Sequence, residues 1–171
     1  MKLDENQKSD EEEMLIYAFN TYYEKVFGFF CGHLYDRTLS QDMTGEVFLR
    51  VAASWQKYDK TKGAISTWIF TIAQNVMKDY WKKKKLVQVE LCEAQDSFDV
   101  SDFAESREEI EALKKAMTCL PERERQVLRF KYFAGLKNTE IAELTGISAS
   151  NTGVVIHRAL KKLKEKLKEY L

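Results

Sequence analysis

The residues in this 171-residue chain best suited to chemistry are hydrogen-bond donors and stacking rings, not nucleophiles. Near the carboxyl end, Asn138-Thr-Glu-Ile-Ala-Glu-Leu-Thr-Gly146-Ile147-Ser148 precedes a long helix-forming stretch. Asn138 can cap a short helix, Ile141 and Leu144 pack inward, Gly146 supplies a turn and Ser148 caps the next helix, which is a helix-turn-helix pattern. At about 100° per residue from Thr152, Ile156, Ala159, Leu160 and Leu163 form one apolar stripe, and Ser150, Asn151, Val154, Arg158 and Lys161 lie opposite. Polar groups in the first turn suit base edges, and cations farther along suit phosphates, so this helix is fitted to a DNA major groove. A plain helical hairpin shares the stripe but not the turn chemistry or the charge sidedness.

A second constellation is Trp68, Thr71, Asn75 and Asp79, spaced along the edge of an apolar helical face with Lys78 and Lys82, Lys83, Lys84 and Lys85 nearby. Ring, amide and basic surface together suit unpaired bases, although from spacing alone Trp68 reads more often as a core aromatic. Catalysis has little support: the histidines are only His33 and His157, and no phosphate-binding glycine loop or nucleophile-base-acid set emerges. Cys31, Cys92 and Cys119 are odd in number and far apart, and Cys31-x-His33 lacks further ligands, so reduced thiols, no metal and no cofactor are expected.

The elements that must position these groups are helices. One proline and seven glycines leave little punctuation for strands and turns, which gives an all-α class. Met14, Leu15, Ala18, Phe19, Tyr22, Val26, Phe29 and Phe30 recur at helical spacing, as do Val47, Phe48, Val51, Ala52 and Trp55. A third helix is predicted from a Ser66 cap to the lysines at 82–85, turning Ile65, Trp68, Ile69, Ile72, Ala73, Val76 and Tyr80 to one side, with an exposed loop from Lys57 to Gly63 before it. Ser106 and Glu109 form a capping box for a helix through Ile110, Leu113 and Met117; Pro121 opens the next, which carries Val127, Leu128, Tyr132 and Phe133 inward and stops near Gly135.

Charge divides the chain in the same places. Residues 1–13 hold two lysines against six acids, residues 14–85 eleven cations against six acids, residues 86–111 one against nine, and residues 112–171 thirteen against six. The expectation is two small helical domains, 14–85 and 106–171, an acidic tail over 1–13 and a flexible acidic linker over 86–105. Two basic bodies suit a polyanion held by both, though solvated lysine-rich surfaces would look the same. With no apolar run near the roughly 20 residues of a membrane span and an acidic start, no membrane insertion and a cytoplasmic location are expected.

Four motifs, in order, resemble extracytoplasmic-function sigma factors of bacterial RNA polymerase over nearly the whole chain from Tyr17. They are Gln41-Asp-Met-Thr-Gly-Glu-Val-Phe-Leu-Arg-Val51; Lys62-Gly-Ala-Ile-Ser-Thr-Trp-Ile-Phe-Thr-Ile-Ala-Gln-Asn75 with Asp79; Leu120-Pro-Glu-Arg-Glu-Arg-Gln-Val-Leu128; and Gly146-Ile-Ser through His157-Arg-Ala159. The resemblance implies an alternative sigma factor whose first domain binds core polymerase and melts the promoter, and whose second reads the minus-thirty-five element. It assigns core binding to Asp42, Glu46, Phe48, Leu49 and Arg50. Promoter DNA, as duplex and as unwound non-template strand, is the implied partner: minus-ten contacts fall to Tyr58, Lys60, Lys62, Trp68, Asn75, Asp79, Lys82 and Lys83, with Asn75, Asp79 and the Tyr58–Gly63 loop expected on the unwound strand and not on duplex, and minus-thirty-five contacts fall to Ser150, Asn151, Val154, Arg158 and Lys161. The chain departs from the family at Gly45, often glutamine, at Gly153, often lysine, and at Val155, often arginine, so minus-thirty-five contacts are expected to be fewer or differently placed. An ordinary helix-turn-helix regulator is the rival reading, and the sequence leaves open whether an anti-sigma protein is a further partner.

Overall fold

The computed structural model describes residues 5–90 and 107–170, with side chains over 10–85 and 108–170; among these all regular structure is helical. Helix α1 spans Glu5–Leu34, so the acidic segment expected as a tail continues into it from Glu5. Ala18, Tyr22, Val26, Phe29 and Phe30 are buried at intervals of three or four, while Met14 and Phe19, expected inward, are each 46% exposed. The packed stretch of α1 begins only at Ala18, and Phe19 lies about 100° round the helix from it.

Helix α2 is Arg37–Ala53, capped by Asp36, whose carboxylate accepts from the Leu39 amide at 2.9 Å. It begins well before the apolar run at Val47, with Met43 buried and Leu39 packed on the core beside two polar inward residues. Ser40 and Thr44, both fully buried, donate their hydroxyls to the carbonyls of Asp36 and Ser40 at 2.5 and 2.7 Å. Each polar group is satisfied within its own helix, so burial costs little. A 3-10 turn at Trp55–Lys57 leads through an exposed loop to α3, Ile65–Glu90, whose Ile69, Phe70, Ala73, Val76 and Met77 are buried. The helix starts at Ile65, with Ser66 buried in its first turn, and extends past Lys85 into the segment expected as linker. The rest of that linker, and the Ser106 cap, lie outside the described residues.

The second body is α4, Arg107–Thr118; α5, Glu122–Leu128; α6, Asn138–Thr145; and α7, Ala149–Tyr170. Pro121 precedes α5 with φ −53°, where its missing amide costs nothing. Beyond α5 the chain widens into a π-helical turn, Arg129–Phe133, closed by the Ala134 amide on the Arg129 carbonyl at 3.1 Å. That extra residue per turn buries Phe130 and turns Phe133 toward α1. Tyr132, expected inward, is instead 57% exposed. Lys137 precedes α6, and Asn138 occupies its first turn; the Glu140 carboxylate accepts from the Lys137 amide at 2.8 Å and closes the helix start in the role expected of Asn138.

The two bodies share one apolar core. Phe29 of α1 stacks on Phe130 with ring centroids 5.5 Å apart and meets Phe70 of α3 edge-on at 5.8 Å, and Phe70 meets Phe130 edge-on at 6.0 Å. At the border of this cluster His33 lies against the Phe29 ring and donates Nδ1–H to the Phe29 carbonyl at 2.7 Å. Burial first, and then the nearby Arg129 guanidinium, push its pKa down to about 3. An unfolded chain takes up the proton near pH 6.5 and the folded one does not, so this side chain costs stability as pH falls below about 6.5. Between pH 7.5 and 5.5 the wild type should lose about 1 kcal/mol more unfolding free energy than a His33→Phe variant in parallel urea melts; equal losses would show that His33 does not titrate in this way.

Candidate nucleic-acid and polymerase interfaces

The helix-turn-helix is built by α6, the Gly146 turn and α7. Gly146 has φ 70°, a left-handed conformation that lets its amide bond back to the Ala142 carbonyl and turn the chain sharply. Ser148 caps α7: its hydroxyl accepts from the Asn151 amide at 3.3 Å, and the Thr152 hydroxyl donates to its carbonyl at 3.0 Å. Thr152, Val155, Ile156 and Ala159 are buried, which fixes the roll of the helix. Ser150, Asn151, Val154, Arg158 and Lys161 are then all exposed together.

Two features of this surface had no signal of their own in the residue pattern. Glu124, only 5% exposed, receives Lys162 Nζ at 2.8 and 3.0 Å on its two oxygens and Arg158 Nε at 3.2 Å. Arg158 is thus tethered at its base, and Lys162, on a row running beside Arg158, joins the same group. The buried carboxylate lies inside the Leu120–Leu128 motif, so that motif was the available clue. Val155 is buried among the core residues, so the departure from arginine there is filled by packing and not by an empty place on the exposed face.

In the first body, the loop and α3 form an aromatic cleft. Trp55 and Trp68 meet edge-on at 5.8 Å, and Tyr58 leans on Trp68 at 5.2 Å with 37° between the rings. A cavity of about 190 Å³ opens there, lined by Tyr58, Lys62, Thr67, Trp68 and Thr71 among others. The loop is held by Asp59, whose Oδ1 accepts from the Thr61 amide at 2.9 Å and its hydroxyl at 2.6 Å; these bonds, hydroxyl first, hold the exposed carboxyl below its ordinary pKa. Trp68 is half-buried: one side packs on the core and another faces the cleft. Lys60, Lys82 and Lys83 are exposed, as is Asn75, which does not line the cavity. Asp79 is likewise outside it, bonded to Arg50 of α2 at 2.9 Å.

Arg50 also bonds Glu46 at 2.7 Å, and the two carboxylates, Glu46 first, raise the guanidinium pKa. The helix carrying the candidate polymerase face is therefore clipped directly to α3. On that face Asp42 and Glu46 are exposed, Leu49 is 69% exposed, and Phe48 is half-buried against Phe19 and Tyr23 at 5.0 and 5.8 Å. Phe19 of α1, which helical periodicity alone assigned to the core, adjoins this face through its contact with Phe48. Among the described residues no group of three potential metal ligands forms, and no helix is long and apolar enough to cross a membrane.

A helix-turn-helix on one basic body and an aromatic, lysine-rimmed pocket on another define a DNA-binding protein. Residues 18–87 match the family model for Sigma-70 region 2, and residues 110–163 that for Sigma-70, region 4. The chain is 30% identical over 140 residues to the RNA polymerase sigma factor SigZ of Bacillus subtilis, covering 77% of this chain and 74% of that one. It is 32% identical over 120 residues to the ECF RNA polymerase sigma factor RpoE of Cereibacter sphaeroides, 67% and 66% of the two chains, and 28% identical over 149 residues to the ECF sigma factor SigM of Bacillus subtilis, 85% and 90%. The fold resembles that of the sigma factor RpoE from Bartonella quintana, solved in complex with the anti-sigma factor NepR, with a TM-score of 0.62 at 17% identity over 93% of this chain and 97% of that one. The chain belongs to the sigma-70 family, in its extracytoplasmic-function group: it is an alternative sigma factor that recognises promoters and initiates transcription.

Glu124 is the group on which the set of α7 cations hangs, and its removal is measurable without DNA. Glu124→Gln should cost about 2 kcal/mol, the usual worth of hydrogen bonds to a charged group, and lower the urea midpoint with little change in slope. Lys162→Met should add little to that loss, because both variants break the same contact; full additivity would show that the pair contributes nothing.

Proposed function

We propose that three surfaces of this chain divide the work of initiation in the cytoplasm, where core polymerase and its promoters lie. The exposed face of α2, with Asp42, Glu46, Leu49 and the adjoining Phe48, docks on core polymerase, and Phe19 of α1 extends the contact. The start of α7 reads the minus-thirty-five element through Ser150, Asn151 and Val154, with Lys161 and the tethered Arg158 on phosphates. The loop and α3 take the non-template strand of the minus-ten element. The observation that carries this reading is the pocket beside the Tyr58–Trp68 pair: the two rings pack on each other, and with Lys62 they line one cavity, which suits an unpaired base stacked on the outside of the pair beside its phosphate. Such stacking contributes about 1–3 kcal/mol per base. Asn75, Lys60, Lys82 and Lys83 flank the path of that strand, and Asp79 serves it indirectly by clipping α3 to α2.

The test is transcription by reconstituted holoenzyme on a promoter library randomised at both elements. Tyr58→Ala should reduce permanganate-reactive thymines around the start site more than it reduces promoter occupancy. Asn151→Ala should relax preference at one minus-thirty-five position at a cost of about 1–3 kcal/mol, whereas Lys161→Ala should weaken all sequences alike and lower the salt slope by about one. Arg158→Ala should lower that slope less than Lys161→Ala, because Glu124 already holds part of its charge. Equal loss of melting and occupancy for Tyr58→Ala, or unchanged sequence preference for Asn151→Ala, would remove the corresponding assignment.

The face of α2 is tested separately by charge reversal. Asp42→Lys with Glu46→Lys should weaken capture of core polymerase at least severalfold in a titration while leaving the helical circular-dichroism signal intact. Capture with wild-type affinity would show that the docking surface is elsewhere.

A further inference from the structure

A second cavity, of about 330 Å³, is lined by residues of α1, α3, α5 and the π-helical turn. None of them belongs to the Tyr58 pocket, to the polymerase face of α2 or to the exposed row of α7. Arg125 and Arg129 line it with side chains only 21% and 13% exposed, and the exposed Lys78 adds a third cation. The acid in this lining is Glu122, which is largely solvent-facing. Its carboxylate accepts from Arg125 Nε at 2.9 Å but lies 3.8 Å from Arg129 Nη1, beyond hydrogen-bond reach.

Arg129 is fixed all the same, because its Nε donates to the Gly32 carbonyl at 2.9 Å. Burial, the largest cause, lowers its pKa, so the folded chain holds this cation with less compensation than water supplies. A buried cation placed in this way favours an anion beside it. Three cations against one acid leave an excess of two positive charges in the lining. A phosphate monoester, at about −1.5 to −2 near neutral pH, matches that excess, and a single carboxylate does not.

The uncharged groups point to the rest of the ligand. Gln74 lines the cavity, and among the described residues its Nε2 is buried without a hydrogen-bond partner, which leaves a donor for an acceptor brought from outside. His33 donates through Nδ1 to the Phe29 carbonyl, so the Nε2 of its neutral ring keeps a lone pair that accepts. Trp81 presents a ring that is 45% exposed, more surface than packing of α3 requires, and Met77 supplies a buried apolar floor. The volume lies at the low end of the roughly 300–1,000 Å³ of clefts that take small molecules, which suits one planar heterocycle with its phosphate and not a nucleic-acid strand.

We propose that this cavity binds a nucleoside monophosphate, with the phosphate on Arg125, Arg129 and Lys78, the base against Trp81, and the base edge shared between Gln74 and His33. Inorganic phosphate would leave the ring and the amide unused, and a neutral nucleoside would leave the cations unanswered. The site is independent of the surfaces assigned to polymerase and promoter.

The experiment titrates the full-length chain by calorimetry with adenosine 5′-monophosphate and guanosine 5′-monophosphate, and separately with adenosine and with inorganic phosphate. At least one nucleotide should bind once per chain with a dissociation constant of roughly 1 mM or lower. Adenosine and phosphate should each bind at least about tenfold more weakly than that nucleotide, since each lacks one of the two sets of contacts. Trp81→Ala and Lys78→Glu, both at exposed positions, should keep the helical circular-dichroism signal and each weaken the nucleotide about tenfold. Tyr58→Ala, which removes a ring of the other pocket, should bind it as the wild type does. Binding of neither nucleotide at millimolar concentration overturns the proposal. Phosphate or adenosine binding as tightly as the nucleotide also overturns it, the first by showing an anion site only. Nucleotide binding that Trp81→Ala or Lys78→Glu leaves unchanged, or that Tyr58→Ala abolishes, places the ligand elsewhere and overturns it as well.

Discussion

Three rings, Phe29, Phe70 and Phe130, hold this structure in the form it has. They come from α1, from α3 and from the turn after α5, and all are essentially fully buried. Phe29 and Phe70 would form a core within the first body alone; Phe130 makes that core continuous with the second. Full burial of one such ring stabilises by about 1.5–3 kcal/mol, so the shared cluster ties the two bodies together through apolar burial.

The charged groups follow a common arrangement in which acids from one element hold cations of another. Asp79 of α3 and Glu46 of α2 hold Arg50, and Glu124 of α5 holds Arg158 and Lys162 of α7. The Arg50 contacts are exposed and contribute little stability singly. Their consequence is geometric: Arg50 joins α2, which carries the proposed polymerase face, to α3, which carries the proposed minus-ten surface. Glu124 differs because it is buried, so it needs its cations as much as they need it. A DNA phosphate arriving at Arg158 enters a site already shared with a carboxylate, whereas Lys161, one turn-side away and exposed, has no such competitor among the described contacts.

The parts of this architecture carried by apolar period and turn chemistry were legible in the sequence. The roll of α7 follows from Ile156, Ala159, Leu160 and Leu163, and Gly146 marks its turn, so the exposed row from Ser150 to Lys161 could be named residue by residue. The start of α2 was harder to read because Ser40 and Thr44 share its inward face, so the apolar period there is carried only by Leu39 and Met43. The exposure of Tyr132 was hidden because the chain there widens to a π turn, and a period of 3.6 places one residue wrongly after it. The exposed rings and side chains on α1 were hidden for the opposite reason: Met14 and Phe19 continue an apolar pattern past the point where any neighbour covers it. Gly28 and Gly32, where a Cβ would run into Phe133 of the π turn, carry no periodic signal at all, since a glycine inside a helix reads as a weak helix residue until its neighbour is seen.

The two departures on α7 bear on how this factor selects its promoters. Val155 belongs to the buried face, so an arginine there would have to bring a charge through the packed side of the helix or snorkel around it. Gly153 is half-buried beside Asn138, and a Cβ would meet that amide at an ordinary 3.7 Å. Neither position is closed to a side chain by sterics alone at the backbone, yet neither lies on the exposed row with Ser150, Asn151 and Val154. What that row presents in place of extra cations is Val154, an exposed apolar side chain flanked by an amide and a hydroxyl. An apolar group in the major groove meets the thymine methyl and finds no partner on a guanine or cytosine edge. If α7 reads DNA as proposed, the absence of charged side chains at 153 and 155 makes its discrimination depend on few contacts near its amino end, with the generic attraction for DNA carried by the lysines farther along.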